Sequence, residues 1–278
     1  MKRTVVVALS LSVAACATSS KPSAESLAPA APEAPAVPKI VGEEVSYESG
    51  GVTLKGYIAY DENHDGPRPG VLVVHEWWGH NDYTRDRARQ LAELGYTALA
   101  VDMYGDGKQA EHPEDAQKFM MEVMGNMDVG VARFEAAKKM LNEHASTDPQ
   151  KTAAIGYCFG GAVVLHMART GTDLDAVAAF HAGALETGND PSNIKGKVLV
   201  AHGEADPFVK PEAIEAFKQN MDAAGVSYEF VAYPGAKHAF TNPGATANGE
   251  KFGLPLAYDK DADEKSWAKM KELFSSVF

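Results

Sequence analysis

Cysteine is almost missing from this chain. Its 278 residues hold two, Cys16 and Cys158, which excludes a disulfide framework. Positive charge is also thin. The formal net charge is −12 and the lysines and arginines form no cluster, which argues against nucleic acid as a partner. Beyond residue 40 no apolar run reaches the length of about 20 residues that a bilayer-spanning helix needs, and no solenoid period repeats. Metal-ligand spacing is missing too. In Val74-His75-Glu76-Trp77-Trp78-Gly79-His80 the histidines are five apart, where a zinc-binding helix needs four. Five helical residues turn about 500°, roughly 140° past a full revolution, so the two imidazoles would diverge. Val71-Leu72-Val73-Val74 is a mostly β-branched apolar run, and Gly79 would interrupt any helix built beyond it. The stretch therefore reads as a strand ending at His75 and a loop that carries a carboxylate and two tryptophans. His181, His202 and His238 fall near other strand ends without ligand spacing, so no metal is expected.

The first forty residues read as a targeting segment. Lys2 and Arg3 form a positive start, and Thr4 to Ala15 are almost all apolar or small, as in the hydrophobic region of a signal peptide. Val13-Ala14-Ala15-Cys16 resembles a bacterial lipobox, which makes residues 1–16 a lipoprotein signal with Cys16 as the lipidated residue; an ordinary secretory signal cleaved elsewhere is the alternative. Residues 17–39 are rich in Pro, Ala and Ser and read as a semi-extended tether. The resemblance implies an exported lipoprotein of a bacterial cell envelope, facing the periplasm and touching membrane only through its lipid. Ala17 lacks the acidic character associated with inner-membrane retention, which leans towards the outer membrane. In such an oxidising compartment Cys158 has no disulfide partner, and an unpaired thiol there invites a chemical explanation.

Residues 40–278 are long enough for one large α/β domain. Apolar runs at Val71–Val74, Ala98–Val101, Ala153–Ile155, Val177–Phe180, Val198–Ala201 and Phe230–Ala232 read as strands. Helical patterns alternate with them: Tyr83–Leu94 behind Asn81-Asp82, Val129–Glu143, Gly161–Ala168, Pro211–Ala224 and Asp263–Val277. That alternation predicts a mostly parallel central sheet flanked by helices. Two earlier strands, Glu44–Tyr47 and Thr53–Tyr60, are expected as an antiparallel edge. In such sheets catalytic groups gather at the carboxyl ends of the strands.

Three strand ends carry chemistry. After Ala153-Ala154-Ile155 comes Gly156-Tyr157-Cys158-Phe159-Gly160-Gly161, the nucleophile elbow G-x-S-x-G with cysteine in the serine position. Glycines two before and two after the nucleophile suit a tight strand-to-helix turn, and the helix behind it aims its amides at the sulfur and stabilises a thiolate. A later strand runs into Gly203-Glu204-Ala205-Asp206, and the last runs into Gly235-Ala236-Lys237-His238-Ala239-Phe240. Nucleophile, acid, histidine is the chain order of an α/β-hydrolase triad. His238 is then the base and later the acid, and Asp206 fixes its tautomer.

These strings, with Glu76 after the early strand, resemble the dienelactone hydrolase family of cysteine α/β-hydrolases over about residues 45–278. The resemblance implies the α/β-hydrolase fold and hydrolysis of a small carboxylic ester or lactone through an acyl-cysteine, with no cofactor and no metal. It further implies that Glu76 sits beside the nucleophile and holds the thiol in its resting form. The amides of Trp77 and Phe159 would form the oxyanion hole. One departure stands out. Family members acting on dienelactone hold its carboxylate with arginines, one shortly after the catalytic histidine, whereas Phe240-Thr241-Asn242-Pro243 contains none. In Glu111–Met127 only Lys118 could serve. A less acidic ester or lactone is therefore expected as substrate.

Candidate pocket residues are Trp78, Met124, His181 and Phe240. Met124 belongs to an apolar stripe with Phe119, Met120, Met121, Val123 and Met127, which reads as core packing, with a movable pocket wall as the alternative. His181 and His202 read as closing the core beneath the site, with pocket lining as the alternative, and Arg85 and Arg87 as solvated or packing groups. His80 has no evident role. Two other functions stay open: deacylation of an envelope polysaccharide by the same residues, and a lipid-anchored binding protein on an old catalytic fold.

Overall fold

A computed structural model describes residues 37–187 and 190–278, together with scattered positions among the first fourteen. The chain divides into two units, Met1–Ala36 and Val37–Phe278. In the first, the described positions carry neither helix nor strand, and Cys16 and the tether as far as residue 36 lie outside the described residues. No helix among the described residues is long and apolar enough to cross a membrane.

The second unit is built on eight strands. They are β1 (Ile40–Ser49), β2 (Val52–Asp61), β3 (Arg68–Val74), β4 (Thr97–Val101), β5 (Thr147–Tyr157), β6 (Ala176–Phe180), β7 (Lys197–Gly203) and β8 (Tyr228–Tyr233). Their spatial order is β1-β2-β4-β3-β5-β6-β7-β8. β1 pairs antiparallel with β2, and β2 antiparallel with β4. Every other pairing is parallel. The expected antiparallel edge on a parallel sheet is thus present.

Burial on both faces explains why the central strands are continuous apolar runs. All five residues of β4 and of β6 are buried. Side chains alternate between faces with period two, so Leu72 and Val74 of β3 enter one core while Val71 and Val73 enter the other. The first core is closed by Phe134 and Leu141 of α3 (Met127–Glu143), Val163 and Val164 of α4 (Phe159–Arg169), and Phe217 and Met221 of α5 (Pro211–Ala223). The second is closed by Ala88 and Leu91 of α1 (Asp82–Glu93) and by Met270 and Phe274 of α7 (Lys260–Ser275). The result is a helix–sheet–helix sandwich, the α/β-hydrolase architecture.

Two further helices join the five expected ones. α2 (Pro113–Met124) holds most of the methionine stripe and starts on Pro at its first turn. α6 (Ala245–Phe252) lies between Gly244 and a left-handed Gly253. Met120 of α2 shares a cavity with Cys158 and His238, and Phe252 of α6 packs on Trp78 in the loop after β3.

Candidate active site

Cys158 occupies the single residue between β5 and α4, with φ 54° and ψ −112°. That positive φ costs a non-glycine residue on the order of 1–3 kcal/mol and persists only when the surroundings enforce it. The enforcing contacts are visible. The Cys158 amide donates to the Phe180 carbonyl and to Nδ1 of His181, each at 3.1 Å. Because Nδ1 of His181 accepts, its proton sits on Nε2, which lies 2.7 Å from the Thr241 hydroxyl. Burial, followed by the charge of His238, holds His181 well below the ordinary histidine range. A neutral ring under the elbow keeps that tautomer.

The flanking glycines are required by contact. A Cβ on Gly156 would meet the Gly160 carbonyl at 2.1 Å, and one on Gly160 would meet the Val74 carbonyl at 2.3 Å. The Gly160 amide donates to the His75 carbonyl at 3.1 Å. The elbow is thereby tied to the loop after β3, which places Glu76 and Trp77 beside it.

His238 leaves the loop after β8, and Asp206 the loop after β7. Nδ1 of His238 lies 2.7 Å from Oδ2 of Asp206, with both side chains almost wholly buried. The other Asp206 oxygen accepts from the Phe208 amide at 2.9 Å. Burial alone would lower the His238 pKa, but the neighbouring Cys158 and the Asp206 bond outweigh it and carry it up to about 10. Cys158 and His238 open into one cavity of about 290 Å³, walled by Trp77, Met120, Leu254 and Leu256. Among the described residues no lysine or arginine lines it, and Lys118 is on the surface. Among the same residues, neither the Trp77 nor the Phe159 backbone amide donates to another group.

Glu76 is 3% exposed, and one of its oxygens accepts from Nδ2 of Asn242 at 2.6 Å. The other oxygen has no partner among the described residues. Burial raises its pKa to about 7, against the opposing pull of the Asn242 bond and of the His238 and Arg87 charges. The partner of this carboxylate is thus Asn242, four residues past His238, in the segment that lacks an arginine.

The four side chains expected to line the pocket do not line it. Phe240 is fully buried in the second core, 5.3 Å from the His181 ring. His181, itself at φ 37°, turns back beneath the elbow. Trp78 packs between Trp77 and Phe252. Met124 packs on the first core, one helical turn beyond the Met120 that faces the cavity. The wall is made instead by the Trp77 side chain, Met120, Gly183, Phe208, Leu254 and Leu256. His202 lines a separate surface cleft. Arg85 pairs with Glu44 on the surface. Arg87 is a buried packing group that donates to the Thr241 carbonyl and to Asp263. His80 is buried, and burial, then the charges of His75 and Arg85, pushes its pKa down to about 3, so it serves as a neutral core ring. No group of three or more His, Cys, Asp or Glu side chains among the described residues could hold a metal ion.

The dienelactone hydrolase family model matches residues 54–278. Protein usf of Aquifex pyrophilus is 34% identical over 207 residues, covering 73% of this chain and 88% of its own. Among solved structures, m3DLH shares 39% identity at a TM-score of 0.82, over 86% of this chain and 99% of its own. A dienelactone hydrolase-like promiscuous phosphotriesterase from metagenomic libraries shares 38% identity at a TM-score of 0.81, with the same coverage. The chain belongs to the dienelactone hydrolase family, as a hydrolase of the carboxylic ester and lactone class with the α/β-hydrolase fold.

Proposed function

We propose that the chain hydrolyses a small, uncharged carboxylic ester or lactone through an acyl-Cys158 intermediate. The observation that carries this reading is that Cys158 and His238 open into one largely apolar cavity while the buried Asp206 holds the far side of the imidazole. Cys158 is the nucleophile and His238 the acid–base group. Asp206, bonded at Nδ1, leaves Nε2 of the imidazole for the thiol and the leaving oxygen. The unpaired Trp77 and Phe159 amides supply the oxyanion hole, because unsatisfied donors held by the fold stabilise developing negative charge without reorganising. His238 takes the thiol proton as sulfur attacks, which forms the S–C bond and puts the carbonyl electrons on oxygen. Collapse breaks the C–O bond, and the alkoxide takes its proton from His238. Water, deprotonated by His238, then releases the acid and restores the thiol.

Glu76 is the resting-state guard in this reading. A carboxylate poised near neutral pH beside the elbow disfavours a second negative charge on sulfur. Asn242 holds that carboxylate by a neutral hydrogen bond. Among the described residues the cavity has no lysine or arginine to receive a substrate carboxylate, which supports a neutral substrate over dienelactone itself. The same largely apolar lining suits a neutral phosphotriester as a second substrate, a reading favoured by the similarity to the phosphotriesterase. Residues 1–16 as a lipoprotein signal with Cys16 lipidated, 17–39 as a tether and an envelope location complete the proposal, resting on sequence alone. No specific observation favours polysaccharide deacylation or a non-catalytic binding role.

The deciding experiment compares wild type and Cys158→Ala on short p-nitrophenyl esters. Loss of the nucleophile is expected to lower kcat by several orders of magnitude, the serine-enzyme precedent being on the order of 10⁶. Equal turnover by the two proteins would remove Cys158 from the mechanism.

A further inference from the structure

A second cavity, of about 310 Å³, adjoins the first. Its walls include Leu185, Val209, Lys210 and Ala213, and it shares Gly183 and Phe208 with the cavity that holds Cys158. Phe208 is the partition. Its side chain is 50% exposed, and its ring stands edge-on to His238, centroid to centroid 4.9 Å at 85°. Its backbone amide is fixed to the Asp206 carboxylate, so the partition is held by the same acid that orients the histidine. Gly183 is the other residue common to both lobes. Its amide donates to the Cys158 carbonyl at 3.1 Å, and a Cβ built there would meet nothing within 4 Å. Glu186, at the far rim, is engaged by the buried Arg169 and by Asn220. Each lobe alone lies at the low edge of the roughly 300–1,000 Å³ expected for a drug-sized ligand.

We infer that the substrate is an acyclic ester with apolar groups on both sides of its carbonyl, its acyl group seated against Trp77, Met120 and the Leu254–Leu256 segment, its alcohol group passing Phe208 into the second lobe. This rests on the acyl-Cys158 reading. The direction is set by the proton. When the C–O bond breaks, the leaving oxygen must lie at His238. Phe208 covers His238, and the space beyond Phe208 is the second lobe. The group attached to that oxygen therefore has space on its own side, separate from the acyl wall and lined by Leu185, Val209 and Ala213 with Lys210 and Glu186. A lactone keeps its acyl and alcohol carbons in one ring and cannot place them in separate lobes. An acyclic ester can, and after acylation its alcohol departs from the second lobe while the acyl group stays on sulfur in the first.

The test is a pair of ester series assayed with the full chain. In one, butanoate is held constant and the alcohol runs from methyl through butyl to hexyl, leaving groups of similar basicity. In the other, the methyl ester is held and the acid is lengthened. Ala213→Trp fills the second lobe from the first turn of α5, and Ala213→Leu is the milder substitution should tryptophan impair folding. Wild type is expected to favour hexyl over methyl butanoate in kcat/KM by about tenfold or more, the discrimination that added methylenes give in an apolar pocket. Filling the lobe is expected to reduce that ratio about tenfold while changing the ratio along the acyl series less. An alcohol-series ratio within twofold of wild type in a folded variant overturns the two-lobe assignment, as does a loss confined to the acyl series. If wild type cleaves no ester at all, the acyl-Cys158 reading falls and this inference with it.

Discussion

Glu76 offers a prediction whose size is set by its burial. In the unfolded chain its carboxyl titrates near 4.5, and in the folded chain near 7, because burial penalises the ionised form more than Asn242, His238 and Arg87 favour it. Between those values the native state binds more protons than the unfolded state, so stability falls as pH rises from about 4.5 to 7 and is flat above. A shift from 4.5 to about 7, at 1.36 kcal/mol per unit, makes that loss about 3 kcal/mol. Glu76→Gln keeps the shape, and its amide oxygen still accepts from Asn242, but nothing titrates. The variant should therefore gain on wild type by about 3 kcal/mol between pH 4 and pH 8.5, which in a domain of this size is roughly 6–12 °C in Tm. Urea or thermal unfolding of both proteins at the two pH values measures it. A stability difference that does not move with pH would refute the argument from burial. The same variant tests the guard: with no carboxylate beside the elbow, iodoacetamide should alkylate Cys158 faster than in wild type. Unchanged alkylation together with unchanged turnover would leave Glu76 with no influence on the thiol.

Two other substitutions probe the supports of the site. Asp206→Asn keeps the size of the side chain but loses the charge that orients and stabilises the His238 imidazolium, and kcat should fall by on the order of 10²–10⁴; full activity would mean the 2.7 Å contact is only structural. Gly160→Ala places a methyl 2.3 Å from a backbone carbonyl, which should cost on the order of 1–3 kcal/mol by overpacking. The shifted elbow should lower kcat more than KM rises. Normal kinetics at lowered stability would show the elbow tolerates the displacement.

The sheet is legible in the sequence because buried parallel strands need apolar residues on both faces, and such runs stand out without any partner being known. The elbow, Asp206 and His238 are legible for a related reason. Each is set by a short local string at a strand end, so chain order alone suggests the set that the fold then brings together. The pocket wall has no such local cause. Met120, Gly183, Phe208, Leu254 and Leu256 come from separate places along the chain, and α6 is hidden because Gly244, Gly249 and Gly253 break the helical pattern that would announce it. Asn242 shows in the sequence only as the lack of an arginine, since its partner lies 166 residues away. Phe208 has one available signal: it comes two residues after Asp206, near enough for the acid to bind its amide.

Glu76 and Asn242 are better understood as one arrangement than as two features. An arginine beside Glu76 would hold its carboxyl low and ionised by direct charge, and would offer a second face to an anionic substrate. Asparagine can do neither. It satisfies one oxygen and leaves the other to burial, which is why the carboxyl rises to about 7. The cavity that Cys158 and His238 share has, among the described residues, no lysine or arginine, so a substrate carboxylate would lose its water there and gain no guanidinium or ammonium partner. Under the proposed reading, Asn242 and burial together account for where Glu76 titrates, and the apolar lining of the cavity accounts separately for an uncharged substrate.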